Sequence, residues 1–202
     1  MFDSFSFQTI SMPAILLVFI TSILLLLGRD WRWLIVALSL QYVGVFLLVM
    51  LSWPLEMAVV KVLTGWMAGA VLGVSVAIVP VSWKGEESSW PSGRWFKLLA
   101  AGLVTLVVVS SAPTIASWLP GVGSEIVLGC LILIGNGLLN LGLTNHPFRV
   151  TIGLLTLLAG FEILYAALQV SALVAGLLAG VNLSLALVGA FLILVPSMEA
   201  VD

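Results

Sequence analysis

Apolar residues run through this chain in long blocks divided by short polar breaks. The blocks fall at about 12–28, 32–52, 55–80, 96–118, 124–144, 149–170 and 172–195. Each is close to the ~20 residues that cross a bilayer as a helix. None shows the period-two alternation of barrel strands. The pattern predicts an all-α, polytopic transmembrane helix bundle of about seven spans. The breaks carry turn chemistry: "GRDWR", "SWP", "WKGEESSWPSGR", "LPGVG", "TNHPFR" and "QVSA". The last is the weakest. Without it, residues 149–195 would form one helix of about 70 Å at ~1.5 Å per residue, too long for one crossing. A tight reversal is therefore expected near Val170–Ser171.

Composition agrees with lipid as the main solvent. The chain is 62% hydrophobic and 8% charged, against about 25% charged for a soluble domain. The net charge of −2 comes from few residues and by itself says nothing about nucleic acid, but no basic patch exists and no nucleic-acid partner is expected. The single cysteine, Cys130, lies in an apolar block and is read as a small core residue. No Lys or Arg precedes the first block, so "MFDSFSFQTISMP" lacks the basic start of a secretory signal, and the first block is expected to stay as a helix.

Charge then orients the spans. Arg29 and Arg32 fall in the first loop, Lys84, Arg94 and Lys97 in or beside the third, and Arg149 with His146 in the fifth. With seven spans these loops share one side. The positive-inside rule makes that side cytoplasmic, with the N-terminus outside and the C-terminus in the cytoplasm. Trp31, Trp33, Trp53, Trp83, Trp90, Trp95 and Trp118 sit at predicted boundaries, as an aromatic belt would, and only Trp66 lies well inside a span.

Two helices carry small residues four apart: Gly65, Gly69 and Gly73 in the third, and Gly176, Gly180 and Ser184 in the seventh. This spacing lets backbones approach closely in lipid. It reads first as helix packing within the chain and second as a docking face for another subunit. Pro113 removes a backbone donor in the fourth span, and Ser110 and Ser111 are placed to occupy the carbonyls it frees.

Candidate chemistry rests on the few polar residues inside the spans. Glu162 lies thirteen residues after Arg149, about 20 Å along a helix, which places it near mid-bilayer. An ionised carboxylate there costs roughly 2.5–3.5 kcal/mol even on lenient insertion scales. It is therefore expected to face protein or water, at a hydrated seam shared with other polypeptides. Tyr165 and Gln169 follow at i+3 and i+7 and share its face, so they are candidates to continue a hydrogen-bonded path. Asn182 in the seventh span, and Asn136 with Asn140 in the fifth, are read first as interhelical hydrogen-bonders and second as stations on that path; Gln41 and Tyr42 form a weaker pair of the same kind. Lys61 stands outside the cytoplasmic basic set. Anchoring at the outer boundary or pairing with Glu56 is its first reading, and a place in an ion path its second. One His, one Cys and no phosphate-binding glycine loop give no catalytic constellation, no metal site and no cofactor.

The C-terminal third, "LILIGNGLLNLGLTNHPFRVTIGLLTLLAGFEILYAALQ" followed by "LLAGVNLSLALVGAFLIL", resembles the three-helix K subunit of respiratory complex I. That module also occurs as the C subunit of Mrp-type cation/proton antiporters and in membrane-bound group 4 hydrogenases. A basic turn ending in Arg149, a "GFEI" step and a last helix of small residues carry the resemblance. It maps the family's first buried Glu onto Glu162 and its usual second one onto Asn182. By this resemblance, residues 123–202 would be the K-like module and 1–122 a four-helix extension. The chain would be a non-catalytic subunit beside antiporter-like and small helical membrane subunits, within a bacterial or archaeal cytoplasmic membrane. Glu162 would then be one station on an H+ or Na+ path along the membrane. A stand-alone secondary transporter and a structural scaffold with a neutral Glu162 are the competing readings.

Overall fold

The helices start and stop where apolar blocks meet turn-forming residues. The computed structural model describes residues 2–79, 93–119 and 121–199, with side chains over 11–79, 93–119 and 121–195. Among the described residues seven helices follow one another: α1 Phe2–Leu27, α2 Trp31–Met50, α3 Leu55–Ile78, α4 Arg94–Trp118, α5 Ser124–Leu143, α6 Pro147–Leu168 and α7 Ala172–Glu199. No strand occurs among the described residues. Six helices, α2 to α7, are long and apolar enough to cross a membrane; the apolar part described for α1, Ser11–Leu27, is shorter.

Local chemistry accounts for the boundaries. Pro147 is the first residue of α6, where its missing N–H would have had no intrahelical partner, and His146 caps it in extended conformation. Gly121, in the α4–α5 turn, has φ +92, a left-handed conformation that costs glycine little. The expected reversal before α7 is present: residues 169–171 are non-helical, with Gln169 extended. α1 departs most from expectation, beginning at Phe2 rather than near residue 12. Hydropathy marks the part of a helix that lipid tolerates, and the hydrogen-bond ladder continues beyond it. Lys84, Trp83 and Trp90 lie outside the described residues.

α6 sits at the centre, against α2, α5 and α7, while α7 packs chiefly on α3 and α4 lies outermost, against α5. The α5–α6 contact is the closest. A Cβ on Gly137 of α5 would stand 2.8 Å from the Leu157 amide nitrogen, and one on Gly160 of α6 would stand 2.8 Å from the Cys130 carbonyl oxygen. Backbone meets backbone there, so neither helix has room for a side chain. Cys130 is a buried core residue, as expected.

The two small-residue stripes behave differently. Gly65, Gly69 and Gly73 face α2, meeting Tyr42, Ser39 and Ile35. Gly176, Gly180 and Ser184 are exposed, and the two glycines have nothing within 4 Å of a Cβ position, so the packing role read for them within the chain does not hold. Small residues occupy both sides of α7. The opposite side, with Ala175, Asn182, Ala186 and Gly189, turns inward instead. In α4, Ser110 and Ser111 donate to the Val107 carbonyl, and Ser111 also to that of Val108. Neither reaches Val109, four residues before Pro113, so they do not replace the bond that proline removes.

Candidate functional site

Lys61 and Glu162 have the same depth for a simple topological reason. α3 starts and α6 ends at the same end of the bundle. Lys61 is six residues after Leu55 and Glu162 six before Leu168, each about 9 Å from its helix end. Lys61 Nζ lies 3.0 Å from Glu162 Oε1, and both side chains are 0% exposed. Glu162 is thus nearer one end of α6 than the expected mid-bilayer position. The pairing with Glu56 and the outward anchoring first read for Lys61 do not occur; Glu56 is exposed and Lys61 points inward.

A second bond converges on the same oxygen. Asn182 Nδ2 of α7 donates to Glu162 Oε1 at 2.9 Å, and Tyr42 OH of α2 donates to Asn182 Oδ1 at 3.1 Å. Four helices therefore meet in one polar chain, Tyr42 to Asn182 to Glu162 to Lys61. Tyr42 is held there because its ring fills the space left by Gly65; a Cβ at that glycine would sit 2.1 Å from the ring. Glu162 Oε2 is buried with no hydrogen-bond partner among the described residues. A buried carboxylate oxygen without a partner is costly, so it marks a place where a proton or a water molecule is stabilising.

The seam expected to be shared with other polypeptides is not where Glu162 lies. The acid is enclosed by the chain's own helices, between Lys61 on α3 and Asn182 on α7. The Asn182 amide of α7 is a direct partner of Glu162. Tyr165 is half-buried and Gln169 exposed; Lys61 and Asn182, not these two, are Glu162's described partners.

The other amides form separate contacts. Asn136 Nδ2 donates to Ser22 Oγ on α1 at 2.9 Å, and Asn140 Nδ2 lies 3.5 Å from the Arg149 carbonyl. Gln41 Nε2 donates to Thr156 Oγ1 at 3.2 Å, leaving Gln41 Oε1 and Asn136 Oδ1 buried and unpartnered among the described residues. These bonds tie α1 to α5 and α2 to α6, the structural role read for amides first. Arg149 is in the first turn of α6 rather than in a loop. It is buried, and its guanidinium donates to the Gly28 carbonyl at the end of α1. No cluster of metal-binding residues occurs among the described residues.

Trp53 departs from the belt. Trp33, Trp95 and Trp118 are exposed, Trp95 at 79%, whereas Trp53 is 3% exposed. Its ring centroid is 5.8 Å from Lys61 Nζ, and its Nε1 donates to the Gln169 carbonyl. Sequence reasoning undervalued Tyr42 and missed the inward turn of Trp53. One signal was present: Lys61 and Glu162, each more than one turn inside a span, have strong reason to find each other.

No family model, curated protein or solved structure matches the chain.

Proposed function

We propose that this chain is an accessory membrane subunit of a complex I-like, hydrogenase-like or Mrp-type assembly, in which Glu162 is a station on a proton path. The single observation that carries this reading is the fully buried Lys61–Glu162 pair whose second carboxylate oxygen has no partner among the described residues. In this reading α1 is a seventh crossing, the N-terminus lies outside, and the turns rich in Lys and Arg face the cytoplasm.

The pair has the electrostatics of a switchable element. Unit charges 3.0 Å apart interact by about 5 kcal/mol at an effective dielectric near 20. A proton arriving on Glu162 Oε2 makes a neutral carboxylic acid and removes that interaction. The Lys61 ammonium is then a buried, uncompensated cation that favours handing a proton on. Charge changes in adjoining subunits bias the same step through the low-dielectric interior. Asn182 and Tyr42 keep the carboxyl oriented through both states, since the amide can donate to Oε1 whether or not Oε2 is protonated. Because the acid is enclosed by its own chain, partner subunits act on it through the field and the bundle ends rather than by touching it.

The enclosure also favours one competing reading, a scaffold in which Lys61 merely compensates Glu162. Glu162→Gln separates the two. The chain is tagged in its native host, the assembly that copurifies is placed in liposomes, and proton uptake is followed with a pH-sensitive dye. Translocation is expected to fall by about tenfold or more, as for removal of a positioned proton carrier, with subunit composition unchanged. Full translocation by Glu162→Gln refutes the proton-path role, and isolation of an active lone chain refutes the subunit role.

A further inference from the structure

The end of the bundle that holds the α2–α3, α4–α5 and α6–α7 turns carries an open cleft of about 280 Å³. Its wall includes Ser52, Ile126, Ala166 and Gln169. Ala166 is four residues after Glu162, so it lies on the same side of α6, one turn nearer the end. Along the helix axis this wall residue is about 6 Å from the buried acid.

Trp53 contacts both the cleft wall and the charged pair. It follows Ser52 of the cleft wall and precedes the start of α3, yet it is buried rather than turned toward lipid. Two contacts hold its indole. Nε1 donates to the Gln169 carbonyl at 3.1 Å, one of the last carbonyls that α6 cannot satisfy within itself. The ring face lies against the Lys61 ammonium, 5.8 Å from centroid to Nζ, within reach of a cation–π contact. One side chain thus touches a lining residue of the cleft at one edge and the charged pair at its face.

We infer that the cleft is the aqueous inlet to the Lys61–Glu162 pair and that Trp53 is its gate. The ring shields the ammonium while the indole N–H is bonded to Gln169. Breaking that one bond lets the ring swing and admits water, and with it protons, to Glu162 Oε2. The cargo this inlet suits is hydronium and water, since the opening is polar at Ser52 and Gln169. Trp53 is a positioning residue, not a carrier. The inference rests on the reading of Glu162 as a proton station, but access can be measured without any transport.

The test uses the full chain in lipid nanodiscs, which leave both bundle ends open to solution. A water-soluble carbodiimide is the probe, and its addition to Glu162 is read by mass spectrometry of the peptide. A lipid-soluble carbodiimide, which arrives through the bilayer, is the control. Trp53→Phe keeps the ring and loses the N–H. Labelling by the soluble reagent is expected to rise about fivefold, the change that follows from losing one hydrogen bond of ordinary net strength. In Trp53→Ala the rise is larger still, while lipid-soluble labelling stays within about twofold in both variants. In a Cys130→Ala background, Ser52→Cys on the partly exposed cleft wall is expected to react with a charged methanethiosulfonate. Equal soluble-reagent labelling of wild type and Trp53→Phe overturns the gate, and an unreactive Ser52→Cys overturns the inlet. Where Trp53→Ala does not fold, Trp53→Phe decides alone. Gated labelling together with normal translocation by Glu162→Gln would keep the inlet and remove the proton-path reading. Lost translocation with ungated labelling would do the reverse.

Discussion

Replacing Lys61 with methionine strands a carboxylate in a site with no exposure. The folded protein has two ways to respond: keep the charge buried, or bind a proton from solution. The second sets a ceiling. At pH 7, protonating a carboxyl of ordinary affinity costs about 4 kcal/mol. Glu162→Gln strands the ammonium instead. Each single substitution is expected to cost roughly 3–5 kcal/mol, the loss that follows when one member of a buried ion pair is removed. The double substitution strands nothing: methionine fills the lysine stem's volume, and the introduced amide can still accept from Asn182. It is expected to cost less than either single change. Purified protein is unfolded by detergent titration in mixed micelles and followed by tryptophan emission. Single substitutions within about 1 kcal/mol of wild type, or a double substitution costing as much as the two singles together, would refute the buried pair.

Gly137→Ala places a methyl against the Leu157 backbone, 2.8 Å from its nitrogen, and is expected to cost about 1–3 kcal/mol by overpacking. Gly180→Ala, with open space at its Cβ position, should stay within about 0.5 kcal/mol; detergent titration of both compares the two directly, and the reverse order would mean that the inward face of α7 is misassigned. Tyr42→Phe removes the donor to Asn182 Oδ1 and leaves that buried oxygen unsatisfied, an expected loss of about 1–3 kcal/mol in the same assay; an unchanged midpoint would show that the tyrosine hydroxyl plays no part in holding the amide.

How far the sequence reaches depends on what each residue needs. Glu162 was legible as a buried group because a charge inside an apolar helix has few solutions. Lys61 was harder, since a lysine near a helix end can bury its stem and keep its ammonium at the interface. Tyr42 looked incidental because nothing in "SLQYVGV" says which side of α2 faces inward. Trp53 looked like an interfacial anchor because position along the chain resolves depth and not direction.

Sequence alone determined that the chain is helical and suited to lipid, with helices broken at six polar interruptions, because backbone satisfaction in lipid permits little else. It also placed two charged residues, Lys61 and Glu162, more than one turn inside spans. Only tertiary structure decided that these two are partners, 101 positions apart, and that Asn182 and Trp53 complete their surroundings. The physical reason is rotational. A helix apolar all round has no sequence-encoded inner face, so close backbone contacts such as Gly137 on Leu157 and Gly65 under Tyr42 set its rotation, and with it which polar atoms meet.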